Sequence, residues 1–406
     1  MIPIVPVTEG SGARHSGAPG SLNLRTLPPL ALYVHFPWCV RKCPYCDFNS
    51  HEPERGAAAI PEREYLHALR ADLESALPLI WGRPVISVFI GGGTPSLLSA
   101  AGLDTLLSDL RALLPLEAEC EITLEANPGT VESGRFAAYR NSGVNRLSLG
   151  VQSFDEQKLQ ALGRIHDRRQ ALAAIEAAQQ TFDNFNIDLM YGLPGQSLEQ
   201  SSEDLEAALA LAPPHLSIYQ LTIEANTVFA KHPPALPDDD RVASMQESID
   251  TRTAAAGYHH YEVSAYAKPG RECRHNLNYW GFGDYLGIGA GAHSKISLRD
   301  RIVRQVRYRS PASYLSRSRQ LEFVAENVEV PRDELPFEFM LNAMRLLEGV
   351  PARWFGERTG LSPSVIDTPL RAAQRRCLMT ADHEVWKPTP LGARFLNDLQ
   401  TLFLPG

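Results

Sequence analysis

Residues 32–51 read LYVHFPWCVRKCPYCDFNSH, placing Cys39, Cys43 and Cys46 in C-x3-C-x2-C spacing directly after an apolar run that reads as a strand. Three of the chain's six cysteines therefore share one short loop. Thiols so close in sequence can converge on a single inorganic centre. Thiolates are soft ligands that select zinc or iron–sulfur. A closed structural zinc site takes four ligands, usually as two separated pairs, and no second cysteine pair occurs elsewhere. Three cysteines suit a [4Fe-4S] cluster with one iron left open. Zinc completed by His35 or His51 is the competing reading.

Outward from this loop, short apolar runs alternate with helical patterns. The expected strands are 30–36, 85–90, 121–126, 146–151, 186–191 and 215–221. Between the first two, Pro61 stands in a position favoured in a helix's first turn, and Leu66, Leu69, Leu73 and Leu77 recur at helical spacing. Repeated strand–helix units imply parallel strands joined by right-handed crossovers. The expected fold class is therefore α/β, an incomplete (β/α)6 barrel. Functional groups of barrels sit on loops after the C-terminal ends of strands. Here those loops carry the three cysteines, then GGGTP at 91–95, EANPG, GVQSF and YGLPG. All fall on one rim, as a single site requires.

Taken alone, the rim residues are ambiguous. Gly92, Gly93 and Thr94 fit a tight turn or a backbone that approaches a ligand closely. Glu125 fits a capping acid or a hydrogen-bond acceptor for a ribose hydroxyl. Arg164 and Asp188 fit an ordinary structural ion pair.

With Tyr45 ahead of the last cysteine, the motif resembles that of the radical S-adenosylmethionine (SAM) enzymes. YVHFPWC…CPYCDF, GGGTP, GVQSF-x9-GR and IDLMYGLP together are similar to the oxygen-independent coproporphyrinogen III oxidase family, and within it to the HemW-type haem chaperones. The resemblance runs over roughly residues 30–400. It implies a (β/α)6 core, a [4Fe-4S] cluster on Cys39, Cys43 and Cys46, and SAM. Gly92, Gly93 and Thr94 would meet the methionyl amino group and its surroundings, and Glu125 the ribose. Tyr33, Tyr45, Gln152, Arg164, Asp188 and Thr222 would surround the bound SAM. The family can hold two SAM molecules, and Gln152, Arg164, Asp188 and Thr222 are the residues a second site would affect.

His275-Asn-Leu-Asn-Tyr-Trp280 matches the H-N-x-x-Y-W motif of the HemW type and implies haem contact by His275. Histidine is a frequent haem ligand, and Tyr and Trp can line a flat macrocycle. A satisfied packing histidine, or Cys273 as the ligand, are the alternatives from the residues alone. The resemblance implies a haem chaperone that passes haem to an acceptor apo-haemoprotein and draws on an electron donor. The oxidase reading, in which a reduced cluster cleaves SAM to a radical that acts on coproporphyrinogen, is the second. The oxidases carry a cysteine two positions after the third cluster cysteine; here Phe48 stands there. Their N-terminal segment also has no counterpart in the low-complexity start of this chain. A zinc-stabilised binding module is the third reading.

Four regions are expected: a disordered tail at 1–28, the core barrel at 29–230, an extension with the HNxxYW motif at 231–325, and a winged-helix-like unit at 326–406. A net charge of −8 and pI near 5.9 argue against nucleic-acid binding. No apolar run reaches the roughly 18 residues of a spanning helix, and no signal peptide is evident at the start, so membrane association is not indicated. Reduced thiols suit the cytoplasm. The G-x-G-x-x-A run Gly287, Gly289, Ala292 lacks the acidic ribose partner of a dinucleotide site and is read as a close backbone passage by the SAM and cluster. Seven arginines between 299 and 319 read as a solvated strand edge, with an anionic partner surface as the alternative. Cys120 and Cys377 read as buried packing residues.

Overall fold

The computed structural model describes residues 22–53, 60–128 and 133–405. Six strands, β1 (Leu30–Phe36), β2 (Val85–Gly92), β3 (Leu116–Ala126), β4 (Arg146–Gln152), β5 (Phe185–Tyr191) and β6 (His215–Gln220), lie side by side in chain order. Every neighbouring pair among them is parallel. The first and sixth do not meet. Antiparallel β7 (His259–Glu262) and β8 (Ala265–Ala267) extend the sheet beyond β6. On the other side, β9 (Asp284–Ile288) pairs parallel with β1, followed by antiparallel β10 (His293–Ser297), β11 (Ile302–Arg307) and β12 (Val324–Glu329). The expected open barrel is present, enlarged at both edges.

The two-residue period of the strands sorts their side chains. Leu32, Val34, Val88, Ile90, Ile122, Leu124, Leu147, Leu149, Ile187 and Leu216 join one apolar core with the outer helices. Side chains there include Tyr65, Leu66, Leu69 and Leu73 of the helix Glu62–Ala76, where the leucine spacing pointed. The alternate positions face the lumen and are largely polar: Tyr33, Ser87, Glu121, Thr123, Glu125, Arg146, Ser148, Asn186, Asp188, His215 and Ser217. Closed barrels fill this space with bulky branched side chains. Here the inward positions are polar instead, so the lumen is not a second apolar core. Helix starts are held by side chains, with full capping boxes at Asp167/Gln170 and Ser197/Gln200.

The helix Arg274–Trp280 closes the bottom of the lumen. The backbone N–H groups of Arg274 and His275 each donate to the Glu121 carboxylate at 3.2 Å. This caps two of the otherwise orphaned donors at the start of the helix.

Beyond β12, the helices Leu335–Ala343, Arg353–Thr359 and Asp367–Arg375 pack around β13 (Val350–Pro351) and β14 (Val385–Trp386), an antiparallel pair. Phe339, Phe355, Trp386 and Leu399 form this second core. Leu22 and Leu24 belong to it too, with backbone N–H groups donating to Asp300 O and Arg299 O at 2.9 and 3.0 Å. The stretch 22–28 is therefore not part of a disordered tail: two leucines bury their side chains in the C-terminal core. Residues 1–21 lie outside the described residues.

Two further expectations change. Of the seven arginines, Arg307 is buried against Asp72, Ser294 and Gln305. Arg304 grips Glu338 through two hydrogen bonds of 3.0 and 2.8 Å, so these two tie the edge inward while Arg299, Arg301, Arg309 and Arg319 are exposed as expected. Cys377, expected to be buried like Cys120, is exposed, sitting at a left-handed φ of 56° just past a helix end, whereas Cys120 is buried as expected. Among the described residues no helix is long and apolar enough to cross a membrane.

Leu24→Ala should lower the unfolding free energy by about 2 kcal/mol or more, read by urea denaturation. A change within a few tenths would mean that the segment does not pack as described.

Candidate functional site

The cysteine loop is closed by backbone bonds, with Cys39 N–H to His51 O at 2.9 Å and His51 N–H to Pro37 O at 2.7 Å. Asn49 ties it to the sheet extension by donating to Ala290 O and Arg309 O, both at 2.9 Å. His35 Nε2 bonds Asn49 O at 2.9 Å while its Nδ1 meets the Tyr33 hydroxyl at 3.0 Å. Both ring nitrogens of His35 are thus engaged, and His51 Nε2 is held by Asn49 Oδ1 at 3.2 Å. Among the described residues no three His, Cys, Asp or Glu side chains gather as they would around a single metal ion. His35 and His51, the candidate fourth ligands of a zinc site, are instead hydrogen-bonded to Tyr33 and Asn49. A cluster makes a different demand, since each thiolate binds a different iron at a different corner.

The three thiols are half-buried and face one another closely enough to interact electrostatically. Thr94 Oγ1 donates to Cys39 Sγ at 3.5 Å, Ser50 Oγ lies 3.8 Å from Cys46 Sγ, and Arg164 Nη1 donates to Cys43 Sγ at 3.6 Å. Burial pushes the Cys46 thiol up to about 11 and the Cys39 thiol upward, with neighbouring thiols adding to the effect. The site therefore disfavours bare thiolates and suits them only beside compensating positive charge, which bound iron supplies. Tyr45 packs behind the loop with Leu162, Met190, Leu221 and Phe229. Phe229 N–H donates to Pro44 O at 3.0 Å, joining the loop to the segment after β6.

The GGGTP segment seats this loop. Gly93 N–H donates to Phe36 O and Thr94 N–H to Trp38 O, both at 2.7 Å. A Cβ on Gly93 would lie 2.4 Å from Trp38 O, and one on Gly92, at φ 113°, 2.6 Å from the His35 ring. These glycines are required first by the neighbouring strand. Gly289, at φ 100°, is required similarly, since its Cβ would lie 2.4 Å from His35 O.

Glu125 reaches Gly92 N–H with Oε2 at 3.1 Å. Burial, with repulsion from Asp188, raises its carboxyl to about 7. Asp188 is raised by burial while Asn186 and Ser148 donate to it at 2.8 and 3.4 Å. A bulge in β4 between Leu149 and Gln152 swings Gln152 to a left-handed φ of 72°. Strain of this kind clusters at functional sites. The Gln152 Oε1 is buried and unpartnered, and so is Arg164 Nε, while Arg164 Nη2 holds Gly150 O at 2.7 Å. Unsatisfied buried polar atoms beside the thiols and the GGGTP backbone fit a polar ligand such as SAM.

Of the expected residues, the cysteines, Tyr45, Thr94 and Arg164 stand together; Tyr33, Gly92, Gly93, Glu125 and Gln152 line the adjoining wall, with Asp188 deeper. Thr222 is exposed on the segment after β6, where it donates to Glu224 at 2.8 Å. His275 is separate. Only 3% exposed, it meets Ser87 Oγ at 3.2 Å and packs 5.0 Å from the Phe89 ring. Burial and the Arg146 charge lower it to about 3, so it is neutral. Trp280 belongs to the C-terminal core. The motif packs between the lumen floor and that core, and does not present an open aromatic face.

The sequence reading missed Asn49, Ser50 and Arg146. Arg146 was recoverable: it falls in register with Ser148 on the lumen side of RLSLGV.

Residues 33–208 match the Radical SAM superfamily and residues 330–395 the HemN C-terminal domain. The chain is 50% identical over 380 residues to the heme chaperone HemW of Escherichia coli (strain K12), covering 93% of this chain and 99% of that protein. It is 47% identical to heme chaperone HemW of Haemophilus influenzae, covering 93% and 98%. Among solved structures, coproporphyrinogen III oxidase (HemN) from Escherichia coli superposes with a TM-score of 0.79 at 23% identity, covering 93% of this chain and 90% of that one.

Gly93→Val should cost about 1–3 kcal/mol of stability by overpacking and cut cluster content after reconstitution. Normal iron content with lost SAM binding alone would contradict the seating role. Because the Glu125 pKa is raised from 4.5 to about 7, its contribution to stability is complete below about pH 4.5 and lost as pH rises through about 7. Glu125→Gln should therefore gain stability relative to the parent across that window, in urea denaturation at several pH values.

Proposed function

Because the chain belongs to the HemW group of the HemN family of radical SAM proteins, we propose that it is a haem chaperone. In this reading it carries a [4Fe-4S] cluster and SAM, binds haem, and hands haem to an acceptor haemoprotein in the cytoplasm. The observation that carries this reading is the match along 99% of a chaperone half identical to it.

Cys39, Cys43 and Cys46 are the residues that would hold the cluster. Cluster and SAM together supply one-electron chemistry when an electron donor reduces the cluster. Arg164 offsets thiolate charge at Cys43, and Thr94 donates to Cys39. The GGGTP backbone, Glu125, the unpartnered Gln152 side-chain carbonyl, Tyr33 and Asp188 are the residues that would contact bound SAM. The packing of Tyr45 and Phe229 behind the loop keeps water from the cluster.

Haem contact at His275 requires the helix Arg274–Trp280 to move, because the ring is enclosed. The described surface also offers exposed Val40, Ile165, Ile223 and Val228 on the segments that surround the cysteine loop. Such an apolar rim suits a flat macrocycle. Coproporphyrinogen oxidation is the second reading, and Phe48 in place of the oxidases' additional cysteine counts against it.

The test is anaerobic reconstitution, then assay with SAM, reductant and coproporphyrinogen III, then haem titration and addition of an apo-haemoprotein. The expected outcome is a brown cluster, no protoporphyrinogen, a saturable Soret change and haem appearing on the acceptor. Each of Cys39→Ala, Cys43→Ala and Cys46→Ala should lose the cluster absorbance. Product formation would shift the reading to the oxidase. An unchanged Soret band in His275→Ala would remove that residue from the haem site.

A further inference from the structure

Arg146 opens β4 with its side chain on the lumen side, since Leu147 and Leu149 point to the outer core. Only 2% of its surface is exposed. Its Nε has no hydrogen-bond partner and, among the described residues, its guanidinium closes no ion pair at contact distance, although the Glu121 and Asp188 charges act on it from farther off and help hold its pKa above the usual value. The acids nearby are committed. Glu121 receives the N–H groups of Arg274 and His275 and the Cys273 thiol, and Asp188 receives Asn186 and Ser148.

The remaining neighbours are uncharged. Burial pushes the Cys273 thiol up to about 12, raises the Tyr261 phenol and keeps His275 neutral. His215 has both ring nitrogens engaged, by Asn186 at 2.7 Å and Tyr261 at 2.8 Å. Thr123 lies on the same rung of the adjacent strand, and its Oγ1 is also buried without a partner. Two donors side by side, one carrying a full charge, are left unsatisfied at the floor. Leaving a buried guanidinium uncompensated costs several kcal/mol.

We propose that the lumen floor is a carboxylate site in which Arg146 supplies the paired donors and Thr123 a hydroxyl donor. The planar fork of a guanidinium matches the two oxygens of a carboxylate, whereas water leaves its charge unpaired and a halide uses the fork poorly. The floor is closed below by Tyr261 and the helix Arg274–Trp280, so the ligand enters from the mouth. With the bulge taking up one residue, five rungs of strand at about 3.3 Å each put Arg146 roughly 16 Å below Gln152. The stem of the ligand then runs along the rings of Tyr33 and Phe89, which stack 6.3 Å apart. The ligand class is a carboxylate on an apolar stem, either a free short-chain acid or the propionate arm of a tetrapyrrole. The site itself does not depend on haem binding; the tetrapyrrole source does.

The experiment is thermal unfolding of the full chain with increasing sodium propionate, against sodium chloride at equal ionic strength. The parent should show a saturable rise in melting temperature with propionate alone. Arg146→Lys keeps the charge and loses the fork, and should weaken propionate by about tenfold. Thr123→Val should weaken it by about fivefold, one hydrogen bond's worth. Arg146→Met should lose the propionate effect altogether, its melting temperature rising no more with propionate than with chloride. No saturable effect in the parent, or an equal effect in Arg146→Met, overturns the proposal. Displacement of propionate by haem but not by haem dimethyl ester identifies a tetrapyrrole arm as the source; displacement by neither identifies a free acid.

Discussion

The structure depends on backbone-to-backbone contact between the ends of β1 and β2. Gly93 and Thr94 donate to Phe36 and Trp38, and Gly93 has no room for a side chain against Trp38 O. That contact fixes where the chain leaves β1 and hence where Cys39 begins the loop. Asn49 and Gly289 then clamp the returning end of the same loop against β9 and β10. The cysteines are positioned by main chain that leaves no slack, which suits a cluster whose ligands must hold a fixed separation before iron arrives.

The lumen behaves as the electrostatic counterpart of that frame. Its strands present acids, hydroxyls, amides and imidazoles inward where a packed barrel would present aliphatic groups. Burial keeps Glu125 near neutrality and holds His275 and His215 uncharged. The charge that burial cannot remove is that of Arg146. Near the mouth, unpartnered atoms of Gln152 and Arg164 face the thiols; at the floor, Arg146 and Thr123 have none of the partners their burial calls for. The two sets are separated by most of the length of β4.

The six core strands were legible to within a residue or two at most ends, because inward and outward positions alternate and the outward ones are aliphatic. β3 is the exception: it begins at Leu116, five residues ahead of the apolar run, since Glu117 to Glu119 continue the strand without an apolar signal. The sheet extension β7–β12 was not legible, being made of short strands with long-range partners. Leu22 and Leu24 were read as tail because their burial depends on a core assembled from residues more than 250 positions away. His275 was read as a haem contact from the likeness of HNxxYW to the HemW type; its enclosure against Ser87 and Phe89 rests on strand β2, far away in sequence.

The sequence by itself determined the strand–helix alternation, the rim on which the unusual residues gather, and the thiol set, because these follow from local periodicity and spacing. Tertiary structure alone decided what those residues touch. It assigned the glycines to a neighbouring strand before any ligand, buried His275 in the lumen floor, and left Arg146 and Gln152 without partners. Satisfaction of a buried polar group depends on atoms brought from distant strands, and no window of sequence contains them.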